Sequence, residues 1–415
     1  MKGPNLAAMA WRNLWRNRRR TVITLSSIAF GILLAVLFTG LGDSRWAEVI
    51  DLAARMGGGH VTLLHPEYLD TPSLKRTVTA VESKRNLALA DADVDKVITR
   101  ISGQTMLATA GESYGVFFIA FDPGAEDEST LSVLEGLVEG KLFESGRDRG
   151  IILGKKLATN LGVRLGRKVV YTMTDKSGEI ITGLGRVSGI VATGAPSVDA
   201  GLCLLPLDTI RDALGYAKDE ATQVGVFLSD QRKADQVAAR LGAALDDGSV
   251  AVTWRQSQPD LAGFISMKVA GMVFFEMLIM VLVAAGIFNT LFVSVMERVR
   301  EFGILMAIGF SPWGLFRLVM WESFWLGMVG IVAAAIVTAG PYYLLTTKGL
   351  DMSGFIGESG AELAGVAVKP TLCADIYPEN AVFIALAALI ATLLSGLYPA
   401  WRAGRVVPVE SIKLV

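Results

Sequence analysis

Asn289–Pro312 reads NTLFVSVMERVREFGILMAIGFSP. It opens as the tail of an apolar run, turns into the charged pentad Glu297-Arg298-Val299-Arg300-Glu301, and closes with a short apolar stretch before Gly309 and Pro312. On a helix, Val295, Val299, Phe302 and Met306 share one face, and Glu297, Arg300 and Glu301 share the other. Ile304 and Ile308 fall among the charges. A bend near Gly303 resolves the conflict: the long helix ends there, and Ile304–Ile308 forms a short helix of its own. Gly309 suits a C-terminal cap. Ser311 and Pro312 suit the N-cap and first turn of the next helix. Such a knuckle, at the end of a membrane helix, reads as a docking point for a partner. A connector resting on lipid is the alternative; the alternating charge signs favour a protein.

Outward from this stretch, the chain has 415 residues, of which 52% are hydrophobic, and a mean hydropathy of +0.47. Soluble domains rarely reach such values. Thr21–Leu41, Met277–Val295, Ser323–Tyr343 and Ala381–Tyr398 are apolar and long enough to cross ~30 Å of hydrocarbon at ~1.5 Å per residue. The first follows a basic start, yet no small-x-small cleavage pattern follows it, so it reads as a retained anchor. Arg12, Arg16 and Arg18–Arg20 precede it, Arg298, Arg300 and Arg317 lie between the second and third runs, and Arg402 and Arg405 follow the fourth. By the positive-inside rule both termini and the 296–315 loop are cytoplasmic.

The expected fold is an α-helical integral membrane protein with four transmembrane helices and an α/β domain inserted between the first and second. The segments are a cytoplasmic amphipathic stretch (1–20), the first span (21–41), an outer domain with flanking stalk helices (42–268), the second span (269–295), a cytoplasmic coupling segment (296–315), the third span (316–343), an outer loop (344–380), the fourth span (381–400) and a tail (401–415). Gly42–Met56 has no breaker and should continue the first span as a stalk, ended by Gly57-Gly58-Gly59. Asp260–Met272 should form a second stalk. Strands are expected at His60–Leu64, Gly115–Phe121, Val169–Met173, Val187–Val191, Leu202–Leu205 and Gly225–Leu228, and helices at Ala88–Ile101, Lys155–Leu161, Leu207–Leu214 and Gln231–Leu245.

Several function classes find no material. No Gly-Lys-Ser/Thr follows the glycine cluster, so ATP is not bound through a P-loop. His60 and His65, the two histidines, stand five apart on a strand, which puts them on opposite faces and argues against a shared metal. No catalytic constellation, cofactor site or metal site can be built. The formal net charge of −1 gives no electrostatic case for nucleic acid. Asp122, Glu126, Asp127 and Glu128 read as a solvated acidic turn. Glu276 and Glu322 sit near opposite interfaces, which suits helix packing better than a proton relay. Cys203 and Cys373 both face outward, and whether they are bridged stays open.

Trp11–Val36 (WRNLWRNRRRTVITLSSIAFGILLAV), Phe288–Gly309 and Tyr398–Leu414 (YPAWRAGRVVPVESIKL), with Gly146–Gly166 and Val252–Leu261 in the outer domain, together resemble the ABC-transporter permease family that includes MacB, LolC, LolE and FtsX. The resemblance implies mechanotransmission: a nucleotide-binding subunit docks on the coupling segment, and the stalks carry its movement to the outer domain. It assigns docking to Glu297, Arg298, Arg300, Glu301, Gly303, Ile304, Ala307 and Gly309. It further implies a dimer, homo- or heteromeric, in a bacterial inner membrane, with ATP and Mg on a separate ATPase subunit and none on this chain. The favoured role is lipoprotein release; efflux of a small toxin or peptide with a periplasmic adaptor, or signalling to a cell-wall hydrolase, are the alternatives.

Overall fold

The computed structural model describes residues 5–356, 361–363, 366–368 and 370–405; the end of the expected tail, parts of the 344–380 loop and the first four residues lie outside them. The chain forms two compact units. One comprises Met1–Arg45, Ser266–Leu350 and Leu372–Val415, the other Trp46–Ile265 with Asp351–Thr371.

The first unit is helical. It contains α1 (Leu6–Leu14), the first part of α2 (Arg18–Met56), most of α3 (Pro259–Glu297), α4 (Val299–Ala307), α5 (Pro312–Thr347) and α6 (Pro378–Ala403). The helices α2, α3, α5 and α6 are each long and apolar enough to cross a membrane. Helices α2 and α3 run unbroken past the ends of the apolar runs, because neither Gly42–Met56 nor Asp260–Met272 contains a proline. In the shared interior lie Ile28, Ile32, Ile287, Leu291, Leu326 and Ile384. Lipid tails are as apolar as leucine, so close approach must hold such a bundle together. A Cβ on Gly330 would come within 2.7 Å of Ile28, and one on Gly327 within 2.8 Å of Leu389. The opposite faces carry exposed Ile23, Phe30 and Phe38 on α2 and Phe274, Phe275 and Leu282 on α3.

The second unit is α/β. Its main sheet has ten strands: β1 (Val61–Leu64), β2 (Val94–Ala108), β3 (Ser113–Phe121), β4 (Leu137–Gly140), β5 (Gly150–Gly154), β6 (Lys168–Thr174), β7 (Ile180–Val191), β8 (Leu202–Pro206), β9 (Gln223–Leu228) and β10 (Val250–Thr253). The order is β10-β1-β9-β2-β3-β8-β5-β7-β4, and β6 pairs with both β2 and β7. The strands β2-β3-β8-β5-β7-β6 therefore close into a ring, with Met106–Ala108 bonded to β3 on one side and β6 on the other. Closure removes the exposed edges of those strands.

The helix expected at Ala88–Ile101 is a correction. A helix ends at Leu89, and β2 begins at Val94. Val94, Val97, Ile98 and Ile101 are β-branched, and pairing with β9 and β3 outweighs any helical pattern across the junction. The acidic turn is a second correction. Glu126 is buried, and Arg100, 0% exposed, grips it through Nε at 3.1 Å to both carboxylate oxygens and through Nη2. The same guanidinium donates to the carbonyls of Arg55, Gly57 and Thr130. It thus ties the C-terminal end of α2 to the 122–131 loop. Cys203 and Cys373 are both free thiols; burial pushes the Cys203 thiol far up.

Candidate functional site: helix α4 and its brace

The bend in Asn289–Pro312 falls at Arg298, five residues before the glycine expected to make it. Helix α3 ends at Glu297, Arg298 adopts φ −106° and ψ 12°, and α4 starts at Val299. Gly303 lies buried inside α4. The cause is the partner of Arg298. Its Nη1 donates to both carboxylate oxygens of Glu322 at 3.0 Å, and its Nε donates to Glu301 at 3.2 Å. Its guanidinium also lies over the Phe302 ring, 5.1 Å from the centroid. The helix breaks where it can turn a buried cation toward the carboxylate on α5.

Glu322, the carboxylate inside an apolar run, also accepts from Asn13 Nδ2 at 2.7 Å. Helix α1 therefore belongs to the site. Asn5 caps its start, accepting from the Ala8 N–H. Trp325 Nε1 donates to the Ala7 carbonyl at 3.1 Å, and Trp11 meets the Trp325 ring edge-on at 5.2 Å. Arg16 pairs with Glu301, and Arg20 with Glu297 at 2.8 Å. Burial works against the charged form of Glu301, but hydrogen bonds from Arg16 and Arg298 win and hold its carboxyl below the usual range. Ala10, Val295, Phe302, Leu315, Leu318 and Ala400 fill the space beneath.

The C-terminal end of α4 is equally fixed. Gly309 has φ +102°, which a side chain would strain. Its N–H donates to Met306 O and that of Phe310 to Leu305 O, both at 3.0 Å, closing a Schellman motif. The Ser311 hydroxyl then caps α5, accepting from the Gly314 N–H at 3.1 Å.

The eight residues expected to dock thus divide. Glu297, Arg298 and Glu301 are engaged within the chain, and Gly303 is buried. Arg300, Ile304, Ala307 and Gly309 are exposed, and Arg300 makes no ion pair among the described residues. Ile308, 73% exposed, joins Ile304 on the same surface, and Trp313 stands beyond at 64%. The residues missed from sequence as members of this site were Asn13, Arg16 and Arg20. Glu322 was singled out for helix packing, as a carboxylate in an apolar run that needs a partner, but its partners were not foreseen.

The MacB-like periplasmic core domain family matches residues 21–244, and the FtsX-like permease C-terminal family matches residues 273–408. This chain belongs to the FtsX- and MacB-type ABC-transporter permease family. The lipoprotein-releasing system transmembrane protein LolC of Xylella fastidiosa is 26% identical to the permease over 305 residues, covering 70% of this chain and 71% of that one. The macrolide export ATP-binding/permease protein MacB 1 of Yersinia pestis is 24% identical over 433 residues, covering 97% of the permease but 60% of its own length. The crystal structure of the periplasmic region of MacB from Actinobacillus actinomycetemcomitans matches 50% of the permease and 94% of itself, at 13% identity and a TM-score of 0.35. The permease is a multi-pass membrane protein with a periplasmic α/β domain.

Proposed function

We propose that this chain is the membrane subunit of an ATP-driven complex that works by mechanotransmission in a bacterial inner membrane. It crosses four times, with both termini and the 296–315 segment in the cytoplasm and the α/β domain in the periplasm. It acts as a dimer, homo- or heteromeric, with a separate ATPase that binds ATP and Mg. The supporting observation is that α4 is pinned at both ends, by the Arg298–Glu322 pair and by Gly309, while leaving Ile304, Ala307 and Ile308 exposed beside Arg300. A rigid helix that shows apolar side chains and one spare cation suits a partner's groove with an acidic rim. Arg300, Ile304, Ala307, Ile308 and Gly309 therefore carry the contact, and Glu297, Arg298, Glu301 and Gly303 brace it.

The test is co-purification from the native membrane, with the ATPase detected by photolabelling with 8-azido-ATP. Ile304→Asp with Ile308→Asp should remove the labelled subunit while the permease accumulates normally. Retention of the subunit at its usual level would sink the assignment.

The work performed is lipoprotein release, supported by the likeness to LolC proteins. The likeness to MacB along 97% of the chain favours a second reading, efflux with a periplasmic adaptor. Proteoliposomes separate the two: ATP-dependent shedding of a triacylated lipoprotein supports release, and an absolute need for an adaptor supports efflux.

A further inference from the structure

The periplasmic domain holds a cavity of about 410 Å³ that the docking reading does not use. This is within the size range of sites that enclose small ligands. Its floor is the face of β2 and β3 where Ser102 pairs with Ile119 and Gln104 with Phe117. The loop before the helix at Val81 roofs it with Leu74 and Lys75, and Met56 and Gly57, at the end of α2, form one wall.

Several of its polar side chains are unspent: Gln104 and Lys75 stand exposed at its mouth, Gln223 is half-buried and Ser102 is buried. The Gln104 and Gln223 carboxamides make no side-chain hydrogen bond among the described residues, nor does the Lys75 ammonium form an ion pair. The Ser102 hydroxyl is buried with no partner. Asp175, the other charge on the rim, turns Oδ1 to its own loop, accepting from Ser177, Gly178 and Glu179. A native domain leaves few buried polar atoms unsatisfied without a reason.

We propose that this cavity binds a short peptide segment ending in a free carboxylate. Each carboxamide offers the donor and acceptor that a peptide unit needs. Ile119 and Phe117 receive an apolar side chain, and Lys75 receives the carboxylate. A simple acyl chain would fill the apolar floor and leave the two carboxamides without partners, which disfavours it. The site also reaches the stalk: Gly57, in its wall, is the residue whose carbonyl Arg100 holds. Occupancy is thus felt at the end of α2.

The experiment uses the full chain in lipid nanodiscs, exposed to a random pool of tetrapeptides and then washed, with retained peptides counted by mass spectrometry. Peptide acids should be retained at least tenfold above their C-terminal amides. Lys75→Met should lower retention of acids to the level of amides. Gln104→Trp, on an exposed position, should fill the cavity and abolish retention of both. Equal retention by all three proteins, or none at millimolar peptide, overturns the proposal. So does saturable binding of radiolabelled laurate that Gln104→Trp removes while peptides show none.

Discussion

Replacing Arg298 by methionine tests the break that orients α4. The Arg298 and Glu322 side chains are each 11% exposed, so water screens them little. Methionine keeps an apolar stem against Phe302 but leaves Glu322 with Asn13 alone. Breaking one side of a buried pair typically costs about 3–5 kcal/mol, whereas replacing both partners by apolar residues is often neutral. Glu322→Met leaves Arg298 with Glu301, so its cost should sit near the lower end, at about 3 kcal/mol. The double variant should lie within about 1 kcal/mol of wild type, so the pair should couple by about 5 kcal/mol or more. Equilibrium unfolding of the purified chain in mixed micelles with rising dodecyl sulfate reads this out. The Trp11–Trp325 contact supplies a fluorescence signal for α1 leaving α5. Single substitutions costing under about 1 kcal/mol each, or adding up in the double variant, would refute the reasoning.

Arg100→Leu should destabilise the periplasmic domain by about 3–5 kcal/mol, because Glu126 and three carbonyls lose their donor. Hydrogen exchange of the β2 and β3 amides in the full chain measures it, and Glu126→Leu added to Arg100→Leu should recover the part due to the stranded carboxylate, the three carbonyls remaining without their donor; no recovery contradicts the account. Gly309→Ala places a side chain at φ +102° and should cost about 1–2 kcal/mol, speeding exchange at the end of α4 by roughly 5- to 30-fold. Unchanged exchange there would mean the cap is not under strain. Burial lowers the His60 pKa; Asp51 opposes this and Arg55 adds to it. The ring is therefore neutral in the fold, while the unfolded chain takes up a proton below about pH 6.5. Its contribution is full above that pH and is lost as pH falls below it. His60→Asn keeps an acceptor for the Leu228 N–H, bonded at 3.1 Å to Nδ1, and should flatten the stability slope between about pH 6.5 and 5. Identical slopes would discount His60.

Much of the architecture was legible because it rests on local, additive signals. Long apolar runs and the absence of breakers in Gly42–Met56 each speak for one stretch at a time. The caps at Gly309 and Ser311 were legible for the same reason. The bend was not. Gly303 looked like the weak point of the helix, but the turn is made by Arg298 to meet a carboxylate on another helix, and spacing alone does not bring Arg298 to Glu322. The acidic turn failed similarly: three of its four carboxylates are ordinary loop residues, and nothing near Glu126 announces an arginine on β2. Ala88–Ile101 shows the reverse case, where a plausible helical pattern ran across a real boundary and non-local strand pairing decided its second half.

The brace around α4 joins residues far apart in the order of synthesis. Asn13 and Glu322 are separated by 309 positions, and Arg16 and Glu301 by 285. At about 5–20 residues per second, Arg16, between α1 and α2, and Arg20, at the start of α2, wait roughly 15 to 60 seconds before their carboxylates leave the ribosome. In the topology proposed above they remain unneutralised at the inner face through that interval, where free positive charge would hold the first helix in its orientation while the periplasmic domain is exported. Pairing then ends that service and begins the structural one, so the same side chains act first as a topology signal and later as a latch.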